Sequence, residues 1–138
     1  MKEKWPSTYM SIAKLIAEHS YAERQKVGAI LVKDNRIIST GYNGTPSGFD
    51  NACEIHGVTK PEVLHAESNA ISKCAKSSES SEGSVLYVTL SPCLECAKLI
   101  IQSGISEVYF SERYRDDAGL SLLIKSNSKV HQILDHHS

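Results

Sequence analysis

Hydrophobic spacing along the chain changes period several times, and each change marks an element. After Ser7, a residue type suited to a helix N-cap, Tyr9, Ile12, Ala13 and Ile16 recur at helical spacing, which predicts an amphipathic helix over residues 7–19. Polar residues 21–26 end it. From Val27 the run Val27, Ala29, Ile30, Leu31 and Val32 is short and apolar, Asp34 and Asn35 supply turn chemistry, and Ile37, Ile38 and Tyr42 follow. A β-hairpin is the expected result.

Residues 41–48 hold three glycines (Gly41, Gly44, Gly48) and Pro46, so the backbone there turns sharply or passes close to something. Taken alone, such a stretch is most often a connection that needs positive φ. Irregular sequence continues to about Leu64, longer than connections usually are, and loops of that length tend to be functional or mobile.

Helical spacing returns over residues 65–76, with Ala66, Ala70, Ile71 and Cys74 on one face. Serine-rich residues 77–84 read as a surface connector. Val85–Leu90 is β-branched and aromatic enough for a buried strand. Pro92 suits the first turn of a helix over 93–103, which carries Ala97, Ile100 and Ile101 and has Gly104 as its C-terminal cap. A strand over 106–111, a helix over 118–125 and a last strand over 129–134 complete the pattern. The order α-β-β-α-β-α-β-α-β implies a five-stranded mixed sheet, opened by an antiparallel hairpin and continued by parallel crossover units. The fold class is α/β, a three-layer α/β/α domain.

At 138 residues and 41% hydrophobic composition, the chain has room for one core and is short for two, so residues 1–138 are read as a single domain. With 15 basic and 16 acidic side chains and no block of either sign, a stable nucleic-acid partner is not favoured. No apolar run approaches the ~18–20 residues that cross a bilayer, and residues 1–6 lead into polar sequence with no signal-peptide core, so no membrane partner and a cytoplasmic location are expected. The adjacent His136 and His137 are read as part of a solvated tail. Four cysteines, Cys53, Cys74, Cys93 and Cys96, could pair as disulfides in a secreted protein. In a reducing compartment a C-x-x-C pair with a histidine reads first as metal-binding.

That reading fixes attention on His65-x-Glu67 and Pro92-Cys93-x-x-Cys96. His65 and Cys93 each sit where the chain enters a predicted helix, and Cys96 lies one turn further along. One face can then offer two sulfurs at ~2.3 Å and one nitrogen at ~2.0 Å to a single zinc ion, with the fourth position open to water. Two helix N-termini, with positive dipole ends, favour thiolate over thiol. Glu67, on the first helical turn, lies near the metal without having to bind it. It can take a proton from a zinc-activated water and return it to a substrate nitrogen. A structural site would instead close with a fourth protein ligand, for which Cys53, His56 or Glu67 are candidates. H-x-E alone is weak and P-C-x-x-C alone moderately specific. Both in this order, each opening a helix, favour catalysis.

With these residues in view, the chain resembles the zinc-dependent cytidine deaminase superfamily, whose H-x-E…P-C-x-x-C signature it carries. Within it, Val27-Gly28-Ala29, the loop from Gly41 to Gly48, His65-Ala66-Glu67 and the run from Tyr87 to Cys93 resemble deoxycytidylate (dCMP) deaminases of the bacterial and phage type, over about residues 8–116. The resemblance implies a cytidine-deaminase-like fold and one catalytic Zn²⁺ held by His65, Cys93 and Cys96. The reaction it implies is hydrolysis of dCMP to dUMP and ammonia for thymidylate synthesis, with Glu67 protonating N3 and then the departing amine. It assigns the Ala66 N–H to the pyrimidine carbonyl, the Ser91 carbonyl to the amino group, Asn43 to the deoxyribose and Tyr114 to the substrate's side.

A phosphate needs a cation or a helix N-terminus, and Arg24, Lys26 and Arg115 are the candidates, although such residues in polar loops are more often merely solvated. The resemblance also implies acceptance of dCTP, a homo-oligomer of up to six copies, and control by dCTP with Mg²⁺ and by dTTP, the effector held partly by Gly41, Tyr42, Asn43 and Gly44. One departure stands out. Where some relatives have a cysteine that pairs with one near position 53 in a second zinc site, this chain has Ala22, which leaves Cys53 and His56 without that partner.

Two other functions compete. A polynucleotide base-editing deaminase would share the zinc chemistry but needs a stripe of cations along a groove, which a net charge of -1 does not supply. A non-catalytic zinc-binding interaction module would leave Glu67 without a purpose, and a redox role for Cys93 and Cys96 would leave both His65 and Glu67 unexplained.

Overall fold

The computed structural model describes residues 4–134; the tail containing His136 and His137 lies outside them. In chain order the elements are α1 (Lys4–Ala17), β1 (Gly28–Lys33), β2 (Arg36–Tyr42), β3 (Glu54–Ile55), β4 (Val58–Thr59), α2 (Ala66–Ala75), β5 (Val85–Leu90), α3 (Leu94–Gln102), β6 (Glu107–Glu112), α4 (Ala118–Lys125) and β7 (Lys129–Gln132). The expected order is recovered, with β3 and β4 added.

α1 starts three residues earlier than the spacing predicts, because Pro6 falls in the first turn, where its missing N–H would have had no helical partner. It also ends earlier: Glu18, His19 and Ser20 donate to Leu15, Ile16 and Ala17, which is a tightened i to i+3 turn in place of α-helix. Asp34 and Asn35, at φ 52° and 60°, close the β1–β2 hairpin in the left-handed region that Asp and Asn tolerate best after glycine. Pro92 precedes α3 instead of lying in its first turn, and Cys93 is the N-cap. Gly104, at φ 79°, ends α3 as expected.

The main sheet runs β2-β1-β5-β6-β7. β1 is antiparallel to both β2 and β5, while β5, β6 and β7 are mutually parallel. On one face lies α1, whose Tyr9, Met10 and Ala13 pack with Ile30, Val32 and Tyr87. On the other lie α2, α3 and α4, where Ala70, Ala97, Ile100, Leu120 and Leu123 close over Leu31, Leu86, Val88, Val108 and Phe110. The three layers are therefore α/β/α. Among the described residues no helix is long and apolar enough to cross a membrane.

α2 matters most for the site, and it is seated closely on β2. A Cβ on Gly41 would lie 2.5 Å from both the Ala66 carbonyl oxygen and the Ala70 nitrogen, so only glycine allows this approach. The buried Ser39 hydroxyl donates to the Ala70 carbonyl at 2.6 Å, and the Asn69 amide donates to the Tyr42 carbonyl at 2.9 Å. These contacts fix where α2 begins.

Candidate active site

Both helix starts that face the site have an unusual N-cap. His65 caps α2 at φ -74°, ψ 159°, and Cys93 caps α3 at φ -75°, ψ 173°. Extended backbone is normal there, but neither side chain makes the usual capping hydrogen bond. Both project instead toward each other. His65 Nδ1 lies 3.5 Å from Cys93 Sγ and 3.3 Å from Cys96 Sγ, and the three ligand atoms all fall within 4.8 Å of one another. A tetrahedral zinc ion with ordinary bond lengths separates nitrogen from sulfur by about 3.6 Å, so this cluster fits zinc with little movement. No fourth His, Cys, Asp or Glu joins the group among the described residues. Three protein donors leave one coordination position for a small molecule, the pattern of catalytic sites.

The electrostatics match. Hydrogen bonds from Cys96 and His65 pull the Cys93 thiol down to about 4, and the Cys96 thiol, hydrogen-bonded to Cys93 and buried, is pushed up. His65 is raised, chiefly by its bond to Cys93. The fold thus favours the Cys93 thiolate, the form that binds a cation. Glu67, only 4% exposed, is pushed up to about 7 by burial first and by Cys93, against the opposing pull of its own backbone N–H, His65 and Cys96. A carboxylate with that value is suited to exchange protons near neutral pH.

Beside the cluster is a cavity of about 300 Å³. Its walls include His65, Ala66, Glu67, Ser91 and Cys93, so it opens at the N-terminus of α2 and the carboxyl end of β5, where α/β sheets usually take ligands. Asn43, Tyr114, Arg24 and Arg115 line it as well. Cys96 lies behind, 3% exposed. Ser91 joins two walls: its Oγ accepts the Tyr114 N–H at 2.6 Å, and its N–H donates to the Glu112 carbonyl at 2.8 Å. The Arg115 guanidinium lies over the Tyr114 ring, 5.8 Å from its centroid. Asn43 uses its amide to hold the chain nearby, accepting from the Val27 N–H at 2.9 Å and donating to the Gln25 carbonyl at 2.8 Å.

Lys26 is placed elsewhere. It lines a separate depression with Lys14, Glu18 and Glu112. That leaves Arg24 and Arg115 as the phosphate candidates on the cavity wall. Tyr42 and Gly44 face a further depression shared with Lys73 and Lys76, while Gly41 is occupied in packing against α2. Cys53, 1% exposed, reaches the cavity wall, with its thiol pushed up by burial, whereas His56 sits at the exposed turn between β3 and β4.

Several wall residues escape sequence reasoning, among them Gln25, Glu54, Thr59, Val63 and Leu90. Glu54 and Thr59 arrive as paired residues of the β3–β4 hairpin, whose turn is His56-Gly57 at φ 52° and 77°. That dipeptide was the available signal, weaker than Asn-Gly because histidine adopts positive φ less readily.

A mixed sheet that presents an N-capping histidine and an N-capping cysteine to one ion, with an unligated buried glutamate beside them, defines a zinc-dependent hydrolytic deaminase. The family profile described as cytidine and deoxycytidylate deaminase zinc-binding region matches residues 3–112. The chain belongs to that family.

Among its relatives, ComE operon protein 2 of Bacillus subtilis is 39% identical over 115 residues, covering 80% of this chain. The chain spans 61% of that relative's length. Human deoxycytidylate deaminase is 44% identical over 123 residues, covering 82% of this chain and 68% of the human protein. The solved structure of dCMP deaminase from the cyanophage S-TIM5, in complex with dCMP and dUMP, superposes with a TM-score of 0.94 at 47% identity, covering 96% of this chain and 99% of that one.

Proposed function

We propose that the protein hydrolyses dCMP to dUMP and ammonia. The observation that carries this reading is that Arg24 and Arg115 share one cavity with Glu67 and the His65–Cys93–Cys96 cluster, so a phosphate and a reacting base can be held together. It is supported by the likeness to a phage enzyme whose structure contains dCMP and dUMP.

His65, Cys93 and Cys96 are the residues that would hold zinc, which when bound supplies Lewis acidity that brings a water's pKa to about 7. The chain's own groups do the rest. Glu67 takes a proton from the attacking water and gives it to ring N3, then takes the hydroxyl proton of the C4 adduct and gives it to the amine, which leaves as ammonia as the C4 carbonyl forms. The Ala66 N–H, at the positive end of α2, receives the pyrimidine carbonyl, and the Ser91 carbonyl receives the amino group. Asn43 keeps one amide N–H for the deoxyribose after its two backbone contacts, Tyr114 flanks the sugar and base, and Arg24 and Arg115 take the phosphate.

Acceptance of dCTP, and control by nucleoside triphosphates with Mg²⁺, belong to the same proposal. The depression at Tyr42 and Gly44 supports an effector there, since Lys73 and Lys76 supply charge and the Lys73 ammonium lies 5.6 Å from the centroid of the Tyr42 ring. A homo-oligomer of up to six copies is supported by Leu94, Leu99 and Ile124, apolar side chains left exposed on α3 and α4.

The test is ammonia release from cytidine, deoxycytidine, dCMP and dCTP by the zinc-loaded protein. Preference for dCMP over deoxycytidine is expected; equal rates on the two would remove the phosphate from the reading.

A further inference from the structure

Between α1 and β1 the chain has no regular structure, yet Ala22, Arg24, Gln25 and Val27 form one wall of the cavity. Two side chains from elsewhere hold this stretch by its backbone. Asn43 takes the end nearest β1, through Val27 and Gln25. Glu54 takes the middle: its carboxylate accepts the Glu23 N–H at 3.0 and 3.2 Å and the Arg24 N–H at 3.3 Å.

Glu54 comes from a well-anchored position. It pairs with Thr59 across the β3–β4 hairpin, and the carbonyl of the preceding Cys53, itself buried, accepts the Lys60 N–H at 2.8 Å. A carboxylate on two successive backbone N–H groups makes charge-assisted bonds, roughly twice as strong as neutral ones. Its choice of donors is informative, because a negative group on the wall of an anion's cavity is otherwise unfavourable. Glu54 faces the backbone, and among the described residues the Arg24 guanidinium forms no ion pair with it or with any other acid.

We infer that Glu54 is a positioning residue for phosphate recognition, fixing the Arg24 backbone so that the guanidinium is presented to the phosphate of a nucleoside monophosphate. The inference rests on the proposed reading of the cavity as a dCMP site.

The experiment is a mutant cycle on zinc-loaded protein, measuring kcat and KM with dCMP and with deoxycytidine for Glu54→Ala, Glu54→Gln, Arg24→Ala and the Arg24→Ala/Glu54→Ala pair. Glu54→Ala is expected to raise KM for dCMP about tenfold with little change in kcat, the loss of one charge-assisted hydrogen bond. Discrimination between dCMP and deoxycytidine falls by the same factor. Glu54→Gln, which keeps an acceptor oxygen in place, gives a smaller shift in the same direction. In the Arg24→Ala background the Glu54 substitution lowers discrimination no further.

Equal losses in both backgrounds, or a KM within about twofold of wild type for both Glu54 variants, would overturn the inference. If Glu54→Ala does not fold, Glu54→Gln combined with Arg24→Ala completes the cycle. Wild-type protein inactive on dCMP refutes the substrate reading itself, whereas active wild type with unaltered variants refutes only the role of Glu54.

Discussion

Replacing Glu67 by Gln separates the chemistry of this site from its construction. The carboxyl is buried and held near 7 in the fold, against an ordinary value of 4.5. Folding therefore favours the protonated form. In protein stripped of metal, that contribution is complete below about pH 4.5 and is lost as pH rises through about 7. At about 1.4 kcal/mol for each tenfold change in proton affinity, the whole loss is about 3 kcal/mol, most of it between pH 5 and pH 8. Glutamine has nearly the same shape and no charge to bury, so Glu67→Gln escapes it. Denaturant unfolding of the two chelated, reduced proteins at both pH values measures the gap, which is expected to widen by roughly 2–3 kcal/mol toward pH 8 in favour of the variant. Restoring zinc should close it, because the cation stabilises the ionised carboxylate. The loaded variant should keep its metal and lose about 10²- to 10⁴-fold in kcat. A gap of the same size at both pH values would refute the assigned burial, and a variant of undiminished activity would refute the proton-transfer role.

Chelation should lower the Tm reversibly, with zinc at a hundredfold excess over its Kd restoring about 2.7 kcal/mol, as scanning calorimetry with and without added zinc would show. Zinc retention should fall on acidification toward pH 4, where protons compete for His65 and for the Cys93 thiolate, itself held near 4; a colorimetric chelator at pH 8 and pH 4.5 reads this directly. Gly41→Ala places a methyl 2.5 Å from two backbone atoms of α2 and is expected to cost about 1–3 kcal/mol in chemical denaturation. Ser91→Ala removes the 2.6 Å bond to the Tyr114 N–H, worth about 1 kcal/mol, and should raise KM for dCMP severalfold with kcat nearly intact.

The helices and the strands of the main sheet were legible because each keeps one hydrophobic period, although the ends of α1 were not and the β3–β4 hairpin left no such pattern. β5 and α4 match their expected bounds, since Val85–Leu90 is a short run rich in β-branched, aromatic and aliphatic residues and α4 is a short, largely apolar segment. The ligand cluster was legible for a related reason, as two local motifs each sit where the chain enters a helix. The cavity wall was less so. Lys26 and Arg24 are chemically alike and two residues apart, and the bend at residues 23–24 sends them to different depressions. Glu54 was invisible because its part depends on a hairpin of two-residue strands and on backbone donors thirty positions away, neither of which leaves a periodic trace.

The two N-capping ligands divide the molecule's inheritance. The three residues that would hold zinc come from the first turns of α2 and α3, while much of the cavity wall comes from residues 22–27, from 43–63 with its β3–β4 hairpin, and from 114–115. Substitutions that redraw the walls can therefore accumulate without passing through a chain that has lost its metal. A lineage built on this plan can change its substrate in small steps while each intermediate still performs the reaction.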